Sequence, residues 1–155
     1  MGITKPFLLR FFLFVFDYLP NPHIDPETGK INGQIYYPVI PIKIGYGHQI
    51  FGYLINSLVD SGSDRNLFPS EIGERIGIKI KKGIPQEIGG IGAIKIIAFT
   101  HKVKIYLKDF SIDTFVDFSY EQNVPPLGRT GFFNYFEKVI FKERKRVIEI
   151  EKKQD

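Results

Sequence analysis

The chain has 155 residues, of which 43% are hydrophobic and 25% are charged; this indicates one soluble domain with a hydrophobic core rather than a disordered or polytopic membrane protein. The absence of cysteine excludes disulfides, thiolate metal sites and cysteine nucleophiles, so any chemistry uses oxygen or imidazole groups. The net charge of +4 does not indicate a nucleic-acid partner, because Lys and Arg are spread among Asp and Glu.

The first predicted element is the apolar run from Phe7 to Phe16, which Arg10 interrupts and Asp17 and Pro20 end. The run is shorter than the roughly 20 residues of a membrane-spanning helix, and no small residues follow it as a signal-peptide cleavage site would require. Its many Phe residues favour a β-strand. We therefore expect a cytoplasmic protein with no membrane partner, with attachment to a membrane through residues 7–16 as the alternative.

The next segments lead toward the middle of the chain. From Pro20 to Gly33 turn-forming residues dominate, which predicts an exposed loop. Alternating apolar residues from Val39 to Tyr46 predict a strand, and a second strand pattern runs from Ile50 to Leu58. The sequence therefore predicts a strand, a turn and a strand immediately before Asp60.

The second half of the chain continues this pattern of short elements. Pro69 and Ser70 can begin a short helix that Gly77 ends. The glycine-rich segment from Ile88 to Ala93 predicts a hairpin with a flexible tip. Strands are expected at His101 to Asp109, where apolar and polar residues alternate, and at Ile112 to Phe118.

The C-terminal region is expected to contain a short helix after Gly128 and then a hairpin from Val139 to Lys152. The turn of this hairpin is the charged run from Lys142 to Arg146, which we interpret as solvent-exposed, with a binding surface for acidic partners as the alternative. Many short strands and few short helices predict a mainly β domain, either a small barrel or a sandwich.

Asp60, Ser61 and Gly62 follow the apolar pair Leu58-Val59, and such a triplet alone is common in turns. The stretch from Ser57 to Leu67 resembles the catalytic loop of retropepsins, the retroviral-type aspartic proteases. Two further segments resemble this family in the expected order: Ile88 to Lys95 is similar to the glycine-rich flap, and Pro126 to Arg129 is similar to the apolar-apolar-Gly-Arg signature. The three motifs together are far more specific than any one of them.

The resemblance covers the chain from Pro38 to the C-terminus and implies a small closed acid-protease barrel with one or two short helices that functions as a symmetric dimer. We expect one retropepsin-like domain over residues 1–155. Residues 1–37 would be an N-terminal strand and loop extension, and residues 38–155 a core with catalytic loop, flap and C-terminal helix and strands. Retroviral proteases are shorter and place their terminal strands in the dimer interface, so the extension leaves the mode of dimerisation open.

Peptide hydrolysis by water requires one group that takes a proton and another that gives one, and the chain has a single Asp-Ser-Gly triplet. The run at Asp113 lacks the glycine, and Asp25 lies in a proline-rich turn. The second carboxyl group is therefore expected to be Asp60 of a symmetry-related subunit. Two carboxyl groups held so close share one proton. The predicted function is an aspartic endopeptidase acting on extended peptides; the alternative is an inactive retropepsin-fold module for dimerisation or peptide binding.

The resemblance also implies roles for the neighbours of the catalytic Asp60. Ser61 would brace the two loops across the dimer axis, Gly62 would admit the substrate backbone, and Ser63 takes a small-residue position. Asp64 and Arg129 match the positions of a structural ion pair.

The flap residues have roles of their own by the same resemblance. Gly89, Gly90 and Gly92 would form the flap tip, and Ile91 and Ile94 would cover the cleft. No metal or organic cofactor is expected, because the three histidines, His23, His48 and His101, lack the spacing of metal ligands.

Overall fold

The computed structural model describes residues 12–90 and 92–153. Of these residues 58% lie in strands and 11% in helices, which confirms the prediction of a mainly β protein. The chain divides into two compact units. We refer to residues 12–40 and 136–153 as the terminal unit and to residues 41–135 as the central unit. The expectation of a single domain stays a prediction, and each unit is described by itself.

The terminal unit contains an antiparallel sheet formed by the two ends of the chain. Its strands are β1 (Leu13–Asp17), β12 (Phe136–Lys142) and β13 (Val147–Lys152), in the order β1-β13-β12. Ile148 and Ile150 of the central strand are fully buried. The predicted N-terminal strand is thus confirmed from Leu13 onward, while residues 7–11 lie outside the described part. No helix among the described residues is long and apolar enough to span a membrane.

The hairpin predicted at the C-terminus is confirmed, with its charged residues in the turn. Glu143–Lys145 form one turn of 3-10 helix, and Arg146 adopts a left-handed conformation with φ of 54°. The Arg146 guanidinium lies over the ring of Tyr36, 3.7 Å from its centroid, in a cation-π contact within the terminal unit.

The loop predicted between Pro20 and Gly33 is wrong, because this region forms a β-hairpin of β2 (Leu19–Ile24) and β3 (Ile31–Tyr37). Both strands are edges of a two-stranded ribbon, so the missing N–H of a proline need not interrupt the pairing. The turn is closed by the Asp25 carboxylate, which accepts hydrogen bonds from the backbone N–H groups of Glu27 and Thr28. Most of the hairpin is exposed, as expected.

The central unit is built on one eight-stranded sheet that is nearly closed and barrel-like. Its strands are β4 (Val39–Tyr46), β5 (Gln49–Ile50), β6 (Ile55–Val59), β7 (Leu67–Pro69), β8 (Ile84–Gly89), β9 (Lys95–Leu107), β10 (Phe110–Ser119) and β11 (Pro126–Leu127). The order is β11-β6-β4-β9-β10-β7, with β5 paired to β4 and β8 paired to β9. The strand, turn and strand predicted before Asp60 correspond to β4 through β6.

The core of the central unit follows from the alternation seen in the sequence. Val103, Ile105 and Leu107 of β9 are buried, whereas Lys102 between His101 and Val103 is exposed. Each fully buried aliphatic side chain contributes about 1.5–3 kcal/mol of transfer free energy. The period of two therefore fixes which face of β9 points into the core.

The short helix after β7 is confirmed, and the helix predicted after Gly128 is reduced to one short 3-10 turn. The first, α1 (Ser70–Arg75), begins after Pro69 and ends before Gly77, whose φ of 87° suits glycine. In place of the second helix, Phe133–Tyr135 form a single 3-10 turn. Gly131, with φ of 108°, interrupts the helical path directly after Thr130.

The ionisation of Tyr18 is expected to make the stability of the terminal unit depend on pH in the alkaline range. Its side chain is 5% exposed, and its hydroxyl donates a 2.8 Å hydrogen bond to Glu143 Oε1. Burial, and then this hydrogen bond, raise the pKa of Tyr18 from 10.0 to about 12. Since the folded-state pKa is above the unfolded one, the stabilisation is complete below pH 10 and is lost as the pH rises toward 12.

We expect the free energy of unfolding of the wild type to fall by about 2 kcal/mol from this group alone between pH 10 and 12. The Tyr18→Phe variant should lack this part of the decrease, whereas Tyr37→Phe, at an exposed tyrosine of the same unit, should retain it. Urea denaturation across this pH range measures the difference. Equal losses in the wild type and in Tyr18→Phe would contradict the assignment.

Candidate active site

The strand β6 carries Asp60 to the end of a buried strand pair. It runs parallel to β11, with Leu58 opposite Pro126 and Val59 opposite Leu127. The backbone N–H of Asp60 continues this pairing and donates to the Leu127 carbonyl at 3.1 Å. The position of Asp60 is therefore set by backbone hydrogen bonds to the segment that contains the Leu127-Gly128-Arg129 signature.

The loop after Asp60 folds back on its carboxylate. Asp60 Oδ1 accepts a 2.9 Å hydrogen bond from the Gly62 N–H, and the Asp60 carbonyl accepts one of 3.1 Å from the Ser63 N–H. A Cβ atom at Gly62 would lie 3.2 Å from Asp60 Oδ1, so glycine leaves space beside the carboxylate. Ser61 is exposed at the outside of this turn. One oxygen of the half-buried Asp60 side chain is thus held in place by the loop itself.

The glycine-rich segment forms the hairpin that the sequence predicts. Strands β8 and β9 pair from Ile84 opposite Thr100 to Gly89 opposite Lys95, and the Gly90 N–H donates to the Ile94 carbonyl at 2.9 Å. Gly92 has φ of 87° and Ala93 has φ of 60°, the left-handed conformation that tight turns require. Ile91, predicted to cover the cleft, lies outside the described residues.

A cleft of about 540 Å³ lies between the loop that carries Asp60 and this hairpin. Its lining consists of Asp60, Gly62, Ser63, Asp64, Arg65, Leu67, Glu87, Ile88, Gly89, Gly90, Ile94, Ile96 and Gln122. Most residues predicted for the site therefore meet at one cleft of the central unit. Ser61 and Gly92 are exposed beside it, and Arg129 is exposed and not part of the lining.

The predicted ion pair of Asp64 and Arg129 is corrected by the structure. Among the ion pairs of the described residues there is none between these two exposed side chains. The two segments are joined through their backbones instead, because the Arg129 N–H donates to the Ser63 carbonyl and the Thr130 N–H to the Asp64 carbonyl, both at 2.8 Å. Arg129 therefore lies beside the loop that carries Asp60 without binding the Asp64 carboxylate.

The charged pair that fastens the loop after Asp60 is Arg65 with Asp117 of β10. Arg65 binds both carboxylate oxygens, with Nη2 2.8 Å from Oδ1, and the Thr100 hydroxyl donates to the same carboxylate. The Asp117 side chain is fully buried and that of Arg65 is 38% exposed. The hydrogen bond to Asp117 raises the pKa of Arg65. This bidentate pair connects the loop to β9 and β10.

Sequence reasoning missed this pair, although one signal was present. Asp117 stands in the apolar run Phe115-Val116-Asp117-Phe118, and the last four residues of β10, Val116 to Ser119, are all buried. A buried carboxylate is expected to have a cationic partner. Arg65 is adjacent to Asp64, the residue that the motif assigns to an ion pair. The pairing of Arg65 with Asp117 depends on a contact between residues 52 positions apart, which local sequence does not reveal.

Gly128 is required by the close passage of its backbone against Arg65. A Cβ atom there would lie 2.5 Å from the Arg65 carbonyl carbon and 2.6 Å from its nitrogen. The buried Asn66 side chain completes the contact, since its Oδ1 accepts from the Gly128 N–H at 2.9 Å and its Nδ2 donates to the Phe115 carbonyl at 3.1 Å. The glycine of the signature thus allows two backbone segments to touch.

The described residues contain no group of three or more His, Asp or Glu placed to hold a metal ion. The functional groups that the cleft does offer are carboxylates, one hydroxyl, one side-chain amide, one guanidinium and backbone N–H groups. These groups are suited to moving protons and binding a polar chain.

No protein-family model matches the chain, and no curated protein does. Among solved structures, the chain is similar to a retropepsin-like aspartic protease from Rickettsia conorii, with a TM-score of 0.52 and 10% identity over 89% of each chain. It is also similar to EIAV protease complexed with the inhibitor HBY-793, with a TM-score of 0.47 and 24% identity over 60% of this chain and 82% of that chain. The Rickettsia structure confirms the predicted retropepsin-like fold, and the fold alone.

The Gly128→Ala substitution is expected to destabilise the protein by about 1–3 kcal/mol, because rigid backbone must move to admit the methyl group. Gly52→Ala is the matched control, since a Cβ atom at Gly52 would meet nothing within 4 Å, and it should change stability by less than about 0.5 kcal/mol. Chemical denaturation of both variants provides the measurement. Equal stability of the two variants would show that the close backbone passage is absent.

Proposed function

We propose that the chain is an aspartic endopeptidase whose active site forms when two copies bring their Asp60 carboxyl groups together. The observation that carries this proposal is the position of Asp60, which lines one 540 Å³ cleft together with Gly89, Gly90 and Ile94 of the glycine-rich hairpin. The cleft thus offers one carboxylate that is held by its own loop, and glycine backbone across from it that an extended peptide can approach closely.

The reaction would use the two carboxyl groups in different protonation states. The ionised one takes a proton from the attacking water, while the protonated one gives a proton to the scissile carbonyl oxygen. The hydrogen bond from the Gly62 N–H to Asp60 Oδ1 holds one carboxylate oxygen toward the loop, which would leave the other oxygen to face the water and the substrate.

The partner subunit is proposed because the chain has a single Asp-Ser-Gly triplet, and three carboxylates outside this triplet have contacts of their own. Glu87 in the cleft forms an ion pair with Lys95, and Asp113 lies 3.8 Å from Lys104 on the sheet. Asp25 caps the turn of the β2–β3 hairpin. Asp60 of the partner subunit, related by a twofold axis, would supply the same half-site in the complementary orientation. Ser61, exposed beside Asp60, would lie at this contact.

The cleft favours a substrate in an extended conformation. Gly89 and Gly90 present backbone without side chains, so a peptide strand can approach them closely. Leu67, Ile88 and Ile96 give the same cleft an apolar wall. Peptides and unfolded segments with apolar residues near the scissile bond are therefore the substrate class that we propose.

The Asp60→Asn variant tests this mechanism against a library of unstructured peptides at acidic to neutral pH. We expect at least about a hundredfold loss of kcat/KM, because the amide cannot exchange the proton. Asp113→Asn is the control, since it makes the same substitution at an exposed position of the central unit outside the cleft. The wild type should show a bell-shaped dependence of rate on pH.

Two results would contradict the proposal. Turnover by Asp60→Asn equal to that of the wild type would exclude Asp60 from the chemistry. Wild-type protein that binds extended peptides and cleaves none would favour the alternative, a peptide-binding module with the retropepsin fold. Sedimentation over a range of protein concentrations gives a separate reading of the dimer, because activity should follow the dimer population.

A further inference from the structure

Asp64 was expected to be a structural residue, and the structure places it at the cleft instead. It lines the cleft with Asp60, its side chain is exposed, and it forms no ion pair with any other described residue. Its backbone is nevertheless fixed, because its carbonyl accepts the 2.8 Å hydrogen bond from the Thr130 N–H. Asp64 is therefore a carboxylate in a defined position that can bind a cation from outside the chain.

The other charged groups of the cleft already have partners. The Arg65 guanidinium binds both oxygens of the buried Asp117 carboxylate, so its charge is largely compensated. Glu87 forms its ion pair with Lys95 of the same hairpin. Apart from the proposed catalytic Asp60, Asp64 thus contributes the uncompensated charge of the lining, and that charge is negative.

We propose that Asp64 makes the cleft selective for substrates with a Lys or Arg side chain flanking the scissile bond. This inference rests on the proposed peptidase function and names its substrate class further. In a twofold dimer each subunit contributes one Asp64, one on each side of the paired Asp60 residues. A basic residue can therefore be selected on either side of the scissile bond.

The size of the selectivity follows from exposure. An ion pair between groups that remain in contact with water contributes little binding free energy. We therefore expect kcat/KM for a Lys peptide to exceed that for a Gln peptide by about fivefold. The backbone of the loop is held by two hydrogen bonds, from the Arg129 N–H to the Ser63 carbonyl and from the Thr130 N–H to the Asp64 carbonyl, so little further ordering of this backbone is needed when a cation binds. The preference should decrease with added salt, because exposed pairs are screened.

The experiment compares sets of peptides that are identical except for one position. Each position flanking the scissile bond carries Lys, Gln or Glu in turn, and kcat/KM is measured for each peptide with the wild type. We expect Lys to exceed Gln by about fivefold at one position or more, and Glu to be the poorest of the three. The quantity compared is the ratio of two peptides with one protein, so it does not depend on the amount of active enzyme.

The Asp64→Asn variant should bring the Lys to Gln ratio to about one, and Asp64→Arg should reverse the order of Lys and Glu. Asp109→Asn is the matched control. It removes the same charge from an exposed residue of the central unit that does not line the cleft, and it should keep the wild-type ratio. Thermal unfolding of each variant confirms that the fold is intact.

The outcomes separate this inference from the function on which it rests. Cleavage of neutral peptides with no preference for Lys, or with an unchanged ratio in both Asp64 variants, would overturn the role of Asp64 and leave the peptidase standing. A preference for Glu would indicate that Arg65 selects the substrate and would also overturn the role of Asp64. Cleavage of no peptide by the wild type would overturn the proposed function and this inference with it.

Discussion

The candidate site depends on the contact of two backbone segments at Gly128. The segment that contains Gly128 passes so close to the Arg65 backbone that no side chain fits at position 128. Around it, Leu127 accepts from the Asp60 N–H, Asn66 accepts from the Gly128 N–H, and Ser63 accepts from the Arg129 N–H. Backbone hydrogen bonds therefore define the loop that holds Asp60, and a substitution at the crossing point would affect all of them together.

The second constraint is the burial of Asp117. A carboxylate without solvent access is costly unless it is paired and hydrogen-bonded, and Arg65 and Thr100 supply that pairing. Thr100 lies on β9, the strand that also forms one side of the glycine-rich hairpin. The loop of Asp60 and the base of the hairpin are thus fastened to the same buried charge, whereas the β8–β9 pairing ends with Gly89 opposite Lys95.

Local patterns predicted the elements whose determinants are local. The alternation of Val103, Ile105 and Leu107 predicted strand β9, and the glycines from Gly89 to Gly92 predicted the hairpin. Both signals are local, because strand period and positive φ are properties of neighbouring residues. The resemblance of three short motifs predicted the retropepsin-like fold, which the Rickettsia structure confirms.

The features that were missed depend on distant partners. Pro20 and Pro22 indicate a loop by their residue type, since the pairing of their strand with residues 31–37 is not visible in local sequence. The interpretation of Asp64 as an ion-pair partner followed the motif, whereas the structure pairs the next residue, Arg65, with a carboxylate 52 positions away. The Gly131 conformation, with φ of 108°, likewise replaced an expected helix with a single turn.

The central claim is that one catalytic site requires Asp60 from two chains, and subunit mixing tests it most directly. Wild-type chain is refolded together with an equal amount of the Asp60→Asn chain, and cleavage is compared with that of the same amount of wild-type chain alone. Random pairing into dimers that need both carboxyl groups predicts that activity falls to about half. Activity unchanged by the added Asp60→Asn chain would contradict the account, because each wild-type chain would then be complete by itself.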